Sequence, residues 1–156
     1  MILGSGIDII DIARVERELE RRGSDGFDDV LTPDEIEACK RLAHPVRGYA
    51  AGFAAKEACL KAIGTGKIGG MSWHDIVIAR GAGADADADA DAGADADADG
   101  DASVDAGAAP DAGRYTVALR GETADVARAL GVTEILLSLA GARTQIVAYA
   151  VAVGRG

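Results

Sequence analysis

Apolar residues along this chain change period several times, and each change marks an element. Ile2 to Asp8 form a short apolar run read as a strand, after which Ile12, Val15 and Leu19 recur at helical spacing and Gly23 ends the helix. At Thr32-Pro33-Asp34-Glu35 a capping hydroxyl, a proline at the first helical position and a glutamate three residues past the cap predict a second helix, running to about Leu42. Beyond Pro45, the residues Val46, Tyr49, Phe53, Leu60 and Ile63 keep a 3.6-residue period, predicting a long helix from Val46 to Ile63 that stops at Gly64. Trp73 to Arg80 and Tyr115 to Arg120 alternate as strands do. Thr123 to Leu130, closed by Gly131, reads as a helix, and Glu134 to Leu139 and Gln145 to Val153 as two strands around a short turn. Strands and helices do not alternate regularly, which favours an α+β layer architecture over a doubly wound sheet.

Composition and charge change this picture at one place. The 156 residues fit one domain, and 49% hydrophobic with only 4% aromatic residues predicts a core of Ala, Val, Ile and Leu. The net charge of -10 is local: residues 81–113, an Ala-Asp repeat, hold ten Asp and no Lys, Arg or Glu. Asp disfavours strands, and like charges at i and i+4 disfavour a helix, so this segment reads as a disordered insertion between two strands of a single domain spanning 1–156. Within it, Asp95, Asp97, Asp99, Gly100 and Ser103 echo a calcium loop, but Ala106 stands where the bidentate glutamate belongs. The remainder is balanced in charge, which offers no argument for nucleic acid or a membrane surface. Cys39 and Cys59 lack metal-site or disulfide-framework spacing, and no apolar run approaches the roughly 18 residues of a membrane span, so a reducing cytoplasm is expected.

The long predicted helix carries candidate chemistry. Glu57 and Lys61 are four residues apart and Arg47 lies ten before Glu57, which at about 100° per residue puts all three within an arc of roughly 80°. A surface ion pair beside a solvated arginine would produce the same pattern. Asp8 ends an apolar strand and, if buried, needs a cation or a donor. With Glu57 it would suffice for Mg²⁺ when a substrate phosphate supplies further oxygens; equally, it could cap the first helix. The glycines Gly64, Gly66 and Gly69 match G-x-G-x-x-G, but they follow a helix where a dinucleotide fingerprint needs a strand, so a helix cap and a pocket-lining loop are expected there.

At GIDIIDIARVE, LTPDE, RGYAAGFAAKEACLKAIGTG and MSWHDIVI the chain resembles the holo-acyl-carrier-protein synthases, the small trimeric class of 4'-phosphopantetheinyl transferases, closely over residues 2–80 and more loosely over 114–153. The resemblance implies their fold, an antiparallel sheet packed against one long and several short helices. It also implies transfer of 4'-phosphopantetheine from coenzyme A to a serine of an apo-acyl carrier protein. Asp8 and Glu57 would hold Mg²⁺ on the coenzyme A pyrophosphate, Glu57 and Lys61 would be catalytic, and Arg47, Lys61, Gly64, Thr65 and Gly66 would bind coenzyme A. Active sites would lie at the subunit interfaces of a homotrimer. Arg14, Arg17 and Arg21 form a stripe at i, i+3 and i+7 where the family's first helix docks the acidic carrier protein, although Glu16, Glu18 and Glu20 interleave with them as on any solvated face.

Two departures stand out. Gly52 occupies a position where many members carry Arg, and Ser138-Leu139-Ala140-Gly141 replaces a motif that ends in His. They leave open a relative that binds carrier protein but has lost transfer. His44 and His74 read as surface residues that do not fill the gap.

Overall fold

The structure, a computed structural model, describes residues 1–66, 69–80 and 115–156, and the side chain of Arg80 is left aside. The Ala-Asp segment expected to be disordered, with its calcium-loop echo, lies outside the described residues, as do Lys67 and Ile68. Strands β1 (Ile2–Asp11), β2 (Ile76–Arg80), β3 (Tyr115–Leu119), β4 (Val132–Gly141) and β5 (Gln145–Gly154) form one antiparallel sheet in the order β1-β5-β4-β3-β2. Helices α1 (Ile12–Arg22), α2 (Pro33–Lys40), α3 (Pro45–Ile63) and α4 (Gly121–Ala129) accompany it, which bears out the α+β reading. Arg80 pairs with Tyr115, so the chain leaves and rejoins the sheet at adjacent points.

Each helix end has a local cause. Asp11 accepts from the Ala13 amide at 2.9 Å and caps α1, while Gly23, with φ of 62°, ends it. Thr32 and Glu35 close a capping box on α2, with Glu35 N–H donating to Thr32 Oγ1 at 3.3 Å and Thr32 N–H to Glu35 Oε2 at 2.8 Å. Gly64 ends α3 in the left-handed conformation, φ 90°, its amide reaching the Leu60 carbonyl at 3.3 Å. Residues Trp73–Asp75, expected to open a strand, form a 3-10 turn instead. Ser72 Oγ accepts from the His74 amide at 3.2 Å, and this local bond competes with the ladder until Ile76.

The core lies between α3 and the inner face of the sheet. Ala50, Ala54, Ala55, Ala58, Cys59 and Ala62 are buried on the helix, and Ala148, Ala150 and Ala152 on β5. The large apolar stripe read from the sequence is therefore only part of the buried face, since Val46 and Phe53 are partly buried while the alanines are fully so. Small side chains let the helix axis approach the sheet. The approach is closest at β1: a Cβ on Gly4 would strike the Ala62 carbonyl, and one on Gly6 would strike the Ala58 carbonyl and sit 2.6 Å from Lys61 Cβ. Two strand residues advance about as far as four helix residues, so Gly4 and Gly6 track Ala62 and Ala58 along one seam.

Because those obstructions are largely backbone, Gly6→Ala should push β1 off α3 and cost about 1–3 kcal/mol of stability. Urea denaturation of the two proteins would measure it; an unchanged midpoint would mean that the seam can open freely.

Candidate active site

The next step along the seam places Asp8 level with the helical turn that carries Ala54 and Glu57. Asp8 is shielded, its side chain 15% exposed, and Lys61 reaches it with Nζ to Asp8 Oδ1 at 2.7 Å and to the Ile7 carbonyl at 2.9 Å. The direction of reach follows from helix geometry, since side chains on a helix lean toward its N-terminus and Lys61 starts beside Gly6. The two readings of Asp8 separate here. Asp11 caps α1, and Asp8 is an ion-paired carboxylate on the seam.

Glu57, one turn before Lys61, is partly buried and accepts from the Trp73 indole, Nε1 to Oε1, at 2.7 Å. The chain thus brings an Asp8–Lys61 pair onto the β1-facing side of α3, with the Glu57 carboxylate one helical turn before Lys61. The carboxylate oxygens suit a hard cation. Among the described residues no group of three or more His, Cys, Asp or Glu is placed to hold a metal, so Asp8 and Glu57 together would make a two-carboxylate set. Such a set fits Mg²⁺ bound together with substrate phosphate.

Arg47, at the other end of α3, donates from Nη1 to the Ala142 carbonyl at 3.0 Å. That carbonyl follows Gly141, the last residue of β4, so Arg47 is held beside the position of one family departure rather than beside Lys61. Gly64, Thr65 and Gly66 follow the helix end as expected, with Thr65 Oγ1 donating to the Gly66 carbonyl at 2.9 Å and Gly66 at φ 64°. Arg14, Arg17 and Arg21 are exposed on α1; Arg17 bonds back to the Ala13 carbonyl and Arg21 forks onto Glu18 at 2.7–3.2 Å. At Gly52 a Cβ would lie 2.9 Å from Leu31 Cδ2, so Leu31 covers the space that a larger residue would enter. Gly52 borders an apolar groove of about 340 Å³ with Leu31, Cys39, Ile78, Tyr115 and Leu139, and none of Asp8, Glu57 or Lys61 lines it.

His44 and His74 are exposed, and a His74 ring nitrogen lies 2.7 Å from the Asp28 carbonyl. Burial pushes the Cys59 thiol up to about 12, which makes it inert as a nucleophile at neutral pH.

Sequence reasoning passed over Lys56. It is completely buried, with Nζ 2.6 Å from Glu35 Oε2 and 2.9 Å from the Val30 carbonyl. Desolvation lowers its pKa, and the hydrogen bond and charge of Glu35 oppose that shift. Lys56 joins the start of α2 to the middle of α3, immediately before Glu57. A lysine between two alanines and a glutamate gives no signal of its own; the capping-box glutamate was visible, but its second partner came from a distant helix. Trp73 was passed over for the same reason.

Known proteins share this fold. The sequence profile of the 4'-phosphopantetheinyl transferase superfamily matches residues 4–104, a span that includes Asp8, Glu57 and Lys61. The holo-acyl-carrier-protein synthase of Desulforudis audaxviator is 36% identical over 154 residues, 99% of this chain and 95% of the relative. That of Koribacter versatilis is 47% identical over 83 residues, 53% of this chain, and the match spans 66% of its length. Among solved structures, the synthase of Neisseria meningitidis superposes with a TM-score of 0.71 at 26% identity, covering 98% of this chain and 99% of that one. A Plasmodium yoelii acyl carrier protein synthase with ADP bound gives 0.68 at 27%, covering 100% and 98%. The chain belongs to the holo-acyl-carrier-protein synthase family.

Truncating Lys56 would leave the Val30 carbonyl without its buried donor and Glu35 Oε2 with the Thr32 amide but no counter-charge. Lys56→Ala should therefore cost about 3–5 kcal/mol, read by chemical denaturation, whereas Lys56→Met, which keeps the volume, should unfold later than Lys56→Ala.

Proposed function

We propose that the protein transfers 4'-phosphopantetheine from coenzyme A to a serine of an apo-acyl carrier protein, releasing adenosine 3',5'-bisphosphate. The observation that carries this reading is the Asp8–Lys61 pair at 2.7 Å, one helical turn from Glu57, within the fold of this family. The serine oxygen attacks the pyrophosphate phosphorus that bears the pantetheine arm; a new P–O bond forms as the bond to the adenosine bisphosphate breaks, and the serine proton passes to Glu57. Negative charge gathers on phosphoryl oxygens in this step. Lys61 answers it by moving its ammonium from Asp8 onto phosphate. Asp8 and Glu57 would hold Mg²⁺, which would supply Lewis-acid neutralisation of the pyrophosphate.

The nucleotide end falls to the Gly64-Thr65-Gly66 turn of one subunit and to Arg47 of a second, because the two stand at opposite ends of α3. ADP bound to the Plasmodium yoelii relative supports a nucleotide site on this fold, because coenzyme A carries the same adenosine diphosphate unit. A homotrimer accounts for the outer face of the sheet, where Ile7, Ile9, Leu136 and Tyr149 are 44–57% exposed and adjoin through the Ile7–Tyr149 pairing. Active sites at its subunit boundaries would let a second subunit supply charge near Gly52. The exposed arginines of α1 would dock the acidic carrier. Buried free thiols fit a cytoplasmic protein, and among the described residues no helix is long and apolar enough to cross a membrane. No observation favours the alternative of a carrier-binding relative without transfer.

Incubation with apo-carrier protein, coenzyme A and Mg²⁺ should add the mass of one phosphopantetheine to the carrier; no addition at high enzyme concentration across several carriers would sink this reading. Asp8→Ala and Glu57→Ala should each lower turnover on the order of a hundred- to a thousandfold while circular dichroism stays unchanged. Substantial turnover in either would misplace the site. Arg14→Glu combined with Arg21→Glu should raise KM for the carrier roughly tenfold and leave KM for coenzyme A unaltered, because rim charges mainly govern encounter. Equal carrier KM values would return these arginines to a solvated face.

A further inference from the structure

The 3-10 turn Trp73–Asp75 lies outside the site assigned above, yet it makes the one hydrogen bond to Glu57 seen among the described residues. It is pinned on its far side by α4. Thr123, fully buried at the start of that helix, donates from its amide and its hydroxyl to Asp75 Oδ2 at 3.4 and 3.0 Å. The Ser72 amide reaches Thr123 Oγ1 at 3.4 Å, and the Arg120 amide reaches the Asp75 carbonyl at 2.8 Å. Trp73 therefore projects from a backbone fixed on both sides, and its indole meets Glu57 Oε1 at 2.7 Å.

We propose that Trp73 is a positioning residue that orients the Glu57 carboxylate for cation binding, an inference that rests on the transferase reading. An indole N–H can donate but never accept, so Trp73 can neither ligate a cation nor take a proton itself. What it does is commit one oxygen. With Oε1 held by a short bond to a charged acceptor, the carboxylate plane is set and the chemistry falls to Oε2. A glutamate side chain has three rotatable bonds, and without the indole Glu57 would sample orientations in which neither oxygen is correctly placed. Outer partners of this kind typically govern affinity or activity by about 10–100-fold when removed.

The chain has a single tryptophan, which gives the contact its own readout. In the unliganded full chain, Glu57→Ala should shift the Trp73 emission relative to the unsubstituted protein; identical spectra would overturn the contact. Trp73→Phe keeps the ring packing and removes the donor. It should lower kcat about 10–100-fold, weaken Mn²⁺ binding in the presence of coenzyme A by a similar factor, and leave KM for the carrier unchanged. Unaltered kcat and Mn²⁺ affinity in Trp73→Phe would overturn the proposal, as would a rise confined to carrier KM. If that variant fails to fold, the emission comparison decides alone. Should the unsubstituted chain show no transfer, the functional reading fails, while the emission and Mn²⁺ titrations still decide whether Trp73 orients Glu57.

Discussion

Everything in the site depends on how closely β1 lies against α3. Gly4 and Gly6 leave no room for side chains against the Ala62 and Ala58 carbonyls, and the alanines of α3 answer with side chains that reach no further than one methyl. This contact sets Asp8 at the height where Lys61, leaning toward the helix N-terminus, can meet it. A helix faced with leucines would pack at a greater distance, and the same Asp and Lys would then face water separately. The alanine-rich core is the means by which the two elements are brought within the reach of one lysine.

The second organising feature is a pair of charged contacts on consecutive residues of α3, directed to opposite tasks. Lys56 is fully buried and anchors α2 through Glu35 and the Val30 carbonyl; Glu57, the next residue, is partly buried and held by Trp73. Successive helix positions differ by about 100°, so one turn of the helix ties down α2 on one side and turns Glu57 onto Trp73 on another. Burying Lys56 carries a desolvation cost that Glu35 only offsets, and such a pair secures the placement of α2 more than it adds net stability. Leu31, following Val30 in the connection that Lys56 holds, is then the residue lying over Gly52. The Gly52 departure is thus accommodated by local packing.

Patterning alone determined a good deal about this protein. Helix ends were legible because their signals are local: the Thr32–Glu35 capping box, Pro45 at the start of α3, Gly23 and Gly64 beyond the last turns. The strands were legible by period, with bounds short by two or three residues at β1 and β4, and the joint presence of Asp8, Glu57 and Lys61 was legible from their motifs. Only the tertiary structure decided that Asp8 faces Lys61 rather than capping α1, a role that Asp11 takes. It also decided that Lys56 is interior, that Trp73 turns onto Glu57, and that the alanine face of α3 is the one most deeply buried. Those outcomes depend on groups 16 to 53 residues apart meeting in space. A period or a cap is written in adjacent residues, whereas the partner of a buried charge is chosen by the packing distance between elements, which no single segment encodes.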